Sequence, residues 1–330
     1  ADALDEAVKA SPAAPLAFHM DPISALAREG ASPGPIESHL ISAATVGARL
    51  ATTYPKATLM LASGQVAHEA GGSEAQELAF MAAAGVAYAR SLVRAGMSME
   101  AALRAIVLRL AADQEYFLTI AKLRAARRIW ARIAGACGVE APARIEARSS
   151  GRMLTAADPW TNLIRLTGAG VGAAVGGADA IVLGAFTDTL GLPSPLARRQ
   201  ARNTQLVLME EAQLGRVADP AAGSGYLESV TDALASEAWG RFQAIEAAGG
   251  VLAALQSGQI AKDVAAARAT LAADIREGRR RIVGVTHFKA ADAGAVEFEP
   301  VTGFPEVPAR LPGPDSTCPP LAAWRLEDAA

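Results

Sequence analysis

Short apolar runs alternate with longer segments of helical spacing along the 330 residues of this chain. Runs of this kind, bounded by Gly, Pro and polar residues, are typical of strands in a parallel sheet, because helices cover such strands on both faces. The predicted strands are Pro15–Phe18, Ala57–Ala62, Ile106–Leu110, Arg144–Arg148, Ala180–Ala185 and Arg281–Val285. The alternation predicts an α/β fold with a parallel sheet, and it leaves open whether the sheet is doubly wound or closed into a barrel.

The segments between these runs have the spacing of amphipathic helices, in which apolar residues recur every three or four positions. The predicted helices are Ile23–Glu29, Ile36–Leu50, Ser73–Ala95, Glu115–Ala136, Pro159–Gly168, Pro195–Gln213, Glu228–Ala248 and Ala261–Glu277. Beyond Lys289 the pattern stops and the sequence becomes rich in proline. This change predicts an α/β unit over residues 1–288 and an extended, Pro-rich tail over residues 289–330.

Composition narrows the class of ligand and the location of the chain. With 51% hydrophobic and 20% charged residues, the chain can bury one large core or two modest ones. A net charge of −3 provides no basic surplus for a phosphate backbone, so nucleic acid is not expected as a partner. Cys137 and Cys318 have no paired spacing, which argues against a metal site or a disulfide framework. Without a long apolar stretch or a signal-peptide pattern, we expect a cytoplasmic protein with no membrane association.

Four motifs have an order and spacing that match one known family. They are Ala121–Arg127 (AKLRAAR), Ala201–Gln205 (ARNTQ), Val217–Tyr226 (VADPAAGSGY) and Ile282–Val285 (IVGV). With weaker similarity between them, the region from about Leu16 to Phe288 resembles the barrel domain of methylmalonyl-CoA mutases. The resemblance implies a parallel (β/α)8 TIM-type barrel that begins near its third strand, so that the first two strands are expected to be absent. It also implies that the tail leads toward a cobalamin-binding domain absent from this sequence.

The cofactor expected from the resemblance belongs to the assembled enzyme. Members of the family bind an acyl-CoA thioester in the barrel and adenosylcobalamin between the barrel and a separate domain, whose Asp-x-His-x-x-Gly loop ligates cobalt. That motif does not occur in these 330 residues. We therefore expect adenosylcobalamin in the complex but not on this chain, and the resemblance assigns no cofactor-binding residue here.

The position of the family's catalytic histidine is altered. Catalytic members carry Ser-Gly-Tyr-His followed by Met-Gln-Glu-Ala-Gly, and the histidine hydrogen-bonds the thioester carbonyl. Segment 63–71 matches this pattern and places Val66 at the histidine position. Valine neither donates a proton nor polarises a carbonyl, so the resemblance predicts that catalysis has been lost.

Three candidates for a catalytic group remain. His68 and Glu69 lie in the same segment, and His19 lies at the end of the first predicted strand, where barrel enzymes place their chemistry. For both histidines, the alternative to a catalytic role is that of a polar residue that only stabilises the local structure.

Other substrate-contact positions have also changed. The carboxylate-binding arginine of the family corresponds to His39 or Ile41, depending on a gap, and neither residue supplies a guanidinium group. The polar seventh strand of catalytic members corresponds to the mostly apolar segment 177–184, and Arg152 occupies a tryptophan position after the sixth strand.

Three functions are compatible with this pattern. The first is a non-catalytic small subunit that forms a heterodimer with a larger, catalytic mutase subunit. The second is an active isomerase with an altered acyl-CoA substrate and a separate cobalamin-binding chain, in which His19, His68 and Glu69 supply the polar groups. The third is a regulatory or chaperone-like barrel that binds a mutase. The sequence leaves open whether any acyl-CoA enters the barrel.

Overall fold

A five-stranded parallel sheet forms the centre of the computed structural model, which describes residues 2–8, 13–291, 294–301 and 313–330. The strands are β1 (Ala17–Met20), β2 (Thr58–Ser63), β3 (Ile106–Ala112), β4 (Arg144–Ser149) and β5 (Ala180–Val182). They lie side by side in chain order, and the sheet curls into a half-barrel. A doubly wound sheet reverses its strand order at a switch point, whereas a TIM-type barrel does not. The partial TIM-type barrel is therefore confirmed, and the doubly wound alternative is wrong.

Helices cover the convex face of the sheet and continue beyond it. They are α1 (Asp2–Val8), α2 (Pro22–Glu29), α3 (Ile36–Thr53), α4 (Gln65–Glu69), α5 (Glu74–Arg94), α6 (Met99–Arg104), α7 (Tyr116–Ala136), α8 (Asn162–Val175), α9 (Pro195–Leu206), α10 (Gly225–Ala247), α11 (Val251–Gln256) and α12 (Gln259–Arg276). The two-residue strands β6 (Leu192–Pro193) and β7 (Phe298–Glu299) pair antiparallel to each other.

The core lies between the sheet and the helices α5 and α7. Helix α5 begins with a capping box in which the Ser73 hydroxyl accepts from the Gln76 amide and the Gln76 side chain accepts from the Ser73 amide. Its many small residues bring its backbone close to β2 and to α7. At Gly85, an added Cβ would lie 2.7 Å from the ring of Trp130, which is fully buried. This close approach explains why α5 needs glycine there.

The two faces of the sheet differ in polarity. Leu108, Leu110 and Ile145 belong to the core under the helices. The residues that alternate with them include Arg109 and Glu146, which are register partners on β3 and β4. Since side chains alternate between faces along a strand, Arg109 and Glu146 lie on the concave face. The concave face of the sheet therefore carries charged side chains, whereas the face covered by the helices is apolar.

Two predicted elements need correction. The predicted strand Arg281–Val285 is wrong: the chain reverses there, with φ of +80° at Gly284 and one isolated bridge between Val283 and His287. The Thr286 hydroxyl accepts from the Ile282 amide and stabilises this reversal. The predicted helix Pro195–Gln213 is α-helical only over Pro195–Leu206, and Val207–Glu211 forms a π-helical turn.

The described part of the tail packs against the barrel, whereas residues 302–312 of the predicted extended tail lie outside the described residues. We call residues 321–329 the C-terminal segment. Its Leu321 amide donates to the carbonyl of Ala27 in α2 at 2.7 Å, and Leu326 is 2% exposed. The C-terminal segment therefore covers part of the end of the half-barrel where the strands terminate.

Candidate functional site

Three polar side chains form a cluster on the concave face, which we call the concave cluster. Arg109 Nε donates to Glu146 Oε1 at 2.7 Å, and His19 Nε2 lies 3.4 Å from Glu146 Oε2. The Glu146 side chain is 7% exposed and that of Arg109 is 20% exposed, so the carboxylate is held by its two neighbours rather than by solvent. The cluster joins β1, β3 and β4 across the interior of the half-barrel.

His19 has an unusual backbone and a shifted pKa. Its φ is +49°, a left-handed conformation that is uncommon outside glycine and that recurs at functional sites. Burial lowers the pKa of His19; the Glu146 carboxylate opposes this shift and the Arg109 charge adds to it, and the pKa stays below its ordinary value. At neutral pH His19 is therefore a neutral imidazole, which can donate one hydrogen bond from one ring nitrogen and accept one at the other.

Two further arginines share the concave face. Arg144 and Arg148 alternate with the buried Ile145 and Ala147 along β4, and both are exposed. With Arg109 they give this face three guanidinium groups, of which Arg109 is held by Glu146 and Arg148 lies near enough to Asp188 to oppose the rise in the pKa of that carboxyl. Guanidinium groups bind carboxylates and phosphates, so the concave face is suited to anionic groups.

His68, the second histidine candidate, lies in a separate and fully buried set of charges. This set, which we call the buried charge network, consists of His68, Glu77, Asp113, Lys122 and Arg152. The His68 ring is 0% exposed, and its Nε2 lies 2.9 Å from the Ser150 hydroxyl. The network connects α4, α5, α7 and the loops that follow β3 and β4.

Lysine and arginine balance the two carboxylates of the network. Lys122 Nζ donates to Glu77 Oε2 at 2.6 Å, and the Ala111 amide donates to Glu77 Oε1 at 2.5 Å. The Arg152 guanidinium donates to the Gly72 carbonyl at 2.9 Å and lies 3.5 Å from Asp113 Oδ2. Although burial raises the pKa of Glu77, the Lys122 and His68 charges outweigh it and lower the pKa to about 2.

The two remaining predicted positions have structural contacts. The Glu69 carboxylate accepts from the backbone amides of Gly151 at 2.9 Å and Arg152 at 2.8 Å, so it fixes the loop after β4. Val66 is 8% exposed and belongs to the apolar core. The structure thus brings His68 and Glu69 to the same loop, and it does not place either of them in the concave cluster with His19.

The two positions proposed for the substrate-binding arginine lie on α3, away from the concave face. Ile41 is 65% exposed and lines a groove of about 640 Å³ between α3 and α11, together with Arg90 and Arg94. His39 lies on the same helix and is half-buried.

Several residues of both clusters were not predicted. A charge inside an apolar strand was the available signal for Arg109, because buried charges are normally paired. Glu146 lies between Arg144 and Arg148 in a strand with three charges, so the sequence did not mark it as buried. Glu77 and Lys122 lie inside helices that the spacing predicts, and nothing in that spacing indicates that they are buried.

No three His, Cys, Asp or Glu side chains of the described ranges are placed to hold a metal ion together. The same ranges contain no helix that is long and apolar enough to cross a membrane.

Residues 16–303 match the family model described as methylmalonyl-CoA mutase. The chain belongs to the methylmalonyl-CoA mutase family. Relatives of this mutase-family chain include the methylmalonyl-CoA mutase small subunit of Streptomyces virginiae, 46% identical over 78% of the chain and 42% of the relative. The small subunit of Propionibacterium freudenreichii subsp. shermanii is 38% identical over 91% of the chain and 47% of the relative. The methylmalonyl-CoA mutase of Escherichia coli K12 is 34% identical over 71% of the chain and 34% of the relative.

The mutase-family chain thus spans less than half the length of these curated relatives. The family depends on adenosylcobalamin. The histidines described above do not fit the role of a cobalt ligand, because His68 is enclosed by the buried charge network and His19 is engaged by Glu146. None of the four histidines stands two positions after an aspartate, as the cobalt-ligand motif requires. We therefore derive no reaction step on this chain through the cofactor.

Proposed function

We propose that this chain is the barrel part of a non-catalytic small subunit of a methylmalonyl-CoA mutase. Val66 carries the proposal: it stands where catalytic members have the thioester-binding histidine, and its side chain is packed into the apolar core. A buried valine provides no hydrogen bond to a thioester carbonyl.

A larger subunit would then carry the chemistry. In this proposal it forms a heterodimer with the small subunit in the cytoplasm, binds adenosylcobalamin, and interconverts methylmalonyl-CoA and succinyl-CoA. The cofactor supplies the radical chemistry. The contribution of this chain is a packed barrel that stabilises its partner, and Arg109, Glu146 and His19 fill the interior where catalytic members hold the substrate.

Turnover assays with separate and combined subunits test this proposal. The full-length protein is assayed with adenosylcobalamin and methylmalonyl-CoA alone, then with its larger partner. We expect no turnover by this protein alone, and a gain in activity or thermal stability of the partner on mixing. The Val66→His variant should also be inactive alone, since restoring one side chain does not restore the other lost contacts. Turnover by the wild-type protein alone would overturn the proposal.

One observation favours a second candidate, an active isomerase with an altered acyl-CoA. His19 is 31% exposed at the end of β1, and the concave face carries the exposed side chains of Arg144 and Arg148. Equilibrium dialysis with methylmalonyl-CoA and succinyl-CoA separates the candidates. Binding that is lost in the Arg148→Met variant would favour the isomerase, whereas no binding by the wild-type protein favours the non-catalytic subunit.

A further inference from the structure

Each ring nitrogen of His68 faces a carboxylate. Nδ1 lies 3.3 Å from Glu77 Oε2, and Nε2 lies 3.4 Å from Asp113 Oδ2 and 2.9 Å from the Ser150 hydroxyl. All of these atoms are shielded from solvent: the side chains of His68 and Glu77 are 0% exposed, and that of Asp113 is 6% exposed.

The protonation state of His68 sets how many N–H groups its ring can direct at the two neighbouring carboxylates. Among the described residues, His68 Nδ1 and Asp113 Oδ2 are buried atoms that make no hydrogen bond. A neutral imidazole has a single N–H, so one ring nitrogen directs its lone pair at a carboxylate oxygen. An imidazolium has two N–H groups, one for each carboxylate. Since buried polar groups are normally paired, the geometry favours the charged ring.

The charges around His68 also accommodate a proton. The carboxylates nearby are Glu69 on α4, Glu74 and Glu77 on α5, and Asp113 in the loop after β3; the carboxylate of Glu69 binds backbone amides of the loop after β4. The cations nearby are Lys122 on α7 and Arg152 in the loop after β4. Glu77 and Asp113 offset Lys122 and Arg152. Glu69 and Glu74, the latter 3.6 Å from the Arg152 guanidinium, leave two further negative charges, so a proton on His68 adds positive charge where negative charge is in excess.

The pKa of His68 has the direction that this geometry requires. Burial and the charges of Arg152 and Lys122 lower it, but the Glu77 carboxylate and the hydrogen bond with Asp113 outweigh them, and the pKa is raised above its ordinary value.

His68 also lies where separate parts of the fold meet. Helix α4 follows β2, Asp113 follows β3, and Ser150 follows β4. The C-terminal segment rests on the same elements: its Trp324 amide donates to the Glu69 carbonyl at 2.8 Å, and its Leu326 amide donates to the Arg152 carbonyl at 3.0 Å. A change at His68 therefore reaches three strand ends and the segment that covers them.

We propose that His68 is a pH-sensitive joint between the loops after β2, β3 and β4. As an imidazolium it holds these loops together and stabilises the C-terminal segment that packs on them. When His68 loses its proton, these contacts weaken. A group with a raised folded pKa contributes stability that is complete below the unfolded value of about 6.5 and is lost as the pH rises through the folded value. The joint therefore holds in mildly acidic solution and loosens as the pH rises through the folded pKa of His68. The inference is independent of the proposed mutase function.

The protonation of His68 can be measured directly. The sequence contains four histidines, so a ring ¹⁵N NMR titration of the full chain gives a small set of signals. Assignment uses the His68→Gln variant, because glutamine is the residue that the family pattern places at this position. We expect the His68 ring to titrate above its ordinary pKa of about 6.5 and to be mostly charged at pH 6. A ring that titrates below about 6.5 would overturn the proposal.

Hydrogen exchange tests the mechanical consequence. We expect the protection factors of the Trp324 and Leu326 amides to fall between pH 6 and pH 9, by about tenfold for each unit by which the pKa is raised. In the His68→Gln variant they should be independent of pH, whereas the control His39→Gln, on α3, should behave like the wild type. The same pH dependence in His68→Gln would contradict the proposal. If His68→Gln does not fold, the wild-type titration alone still decides.

Discussion

Lys122 Nζ and Glu77 Oε2 lie 2.6 Å apart, and the two side chains are 1% and 0% exposed. They come from the long helices α7 and α5 and meet beneath the ends of the strands. A buried ion pair adds little net stability when both partners are present, because each charge has lost its hydration. Its main effect is that neither partner can be removed alone without leaving an uncompensated charge.

The Glu77→Gln variant should therefore be strongly destabilised. It leaves Lys122 buried without its counter-charge, which costs about 3–5 kcal/mol in the free energy of unfolding. The double variant Glu77→Gln/Lys122→Met should recover part of this loss, and the exposed pair of Glu100 and Arg104 provides a control, since Glu100→Gln should cost less than about 0.5 kcal/mol. Urea denaturation measures all three variants. Additive losses in the double variant would show that the two side chains are not coupled.

Glu77 also predicts how stability falls in acid. Its pKa is lowered from 4.5 to about 2, because the Lys122 and His68 charges outweigh the effect of burial. A depressed folded pKa contributes stability that is present above the unfolded value and is lost as the pH falls through the folded value. The wild type should lose roughly 3 kcal/mol from this group between pH 4.5 and pH 2. Denaturation at several pH values should give a shallower acid slope for Glu77→Gln, and an unchanged slope would contradict the assignment.

The strands were predictable because their sequence signal is local. A strand covered on both faces is apolar along most of its length, as β2 is throughout and β3 is except at Arg109. The same signal failed at Arg281–Val285, since an apolar run does not reveal whether a neighbouring strand is available. There Gly284 adopts a positive φ and the Thr286 hydroxyl accepts from the Ile282 amide, so the run buries Ile282 and Val285 without joining the sheet.

The buried charge network was not predictable because its partners are distant in sequence. Glu77 and Lys122 are 45 residues apart, and each occupies a helix whose spacing is equally compatible with an exposed position. For His68, the sequence left open a catalytic or a structural role. Only the packing of α4 against the loops after β3 and β4 places it among carboxylates.

The contact between Gly85 and Trp130 predicts that alanine has opposite effects on stability at two helical glycines, Gly85 and Gly240. Replacing Gly85 by alanine puts a methyl group 2.7 Å from the Trp130 ring, and such overpacking typically costs about 1–3 kcal/mol. Gly240 in α10 has open space around its added Cβ, so Gly240→Ala should stabilise the protein by about 0.5–1 kcal/mol through helix propensity. Thermal unfolding of both variants should therefore shift Tm in opposite directions. A rise in Tm for Gly85→Ala would mean that α5 can move away from α7 at little cost.

The concave cluster predicts that replacing Arg109 lowers the stability of this chain without changing the activity of the complex. In the Arg109→Met variant, Glu146 loses its charged donor at 2.7 Å while remaining largely buried, and the expected loss is about 1.5–3 kcal/mol in the free energy of unfolding. If this chain fills its barrel with side chains instead of substrate, the kcat of the complex with a larger subunit should not change at a temperature where the variant is folded. Arg104→Met, on the exposed surface of α6, is the matched control for losing one arginine and should alter neither quantity appreciably. A fall in kcat with normal assembly in Arg109→Met alone would instead place Arg109 in a working site, because a residue that only stabilises the barrel has no means of changing the rate of chemistry in its partner.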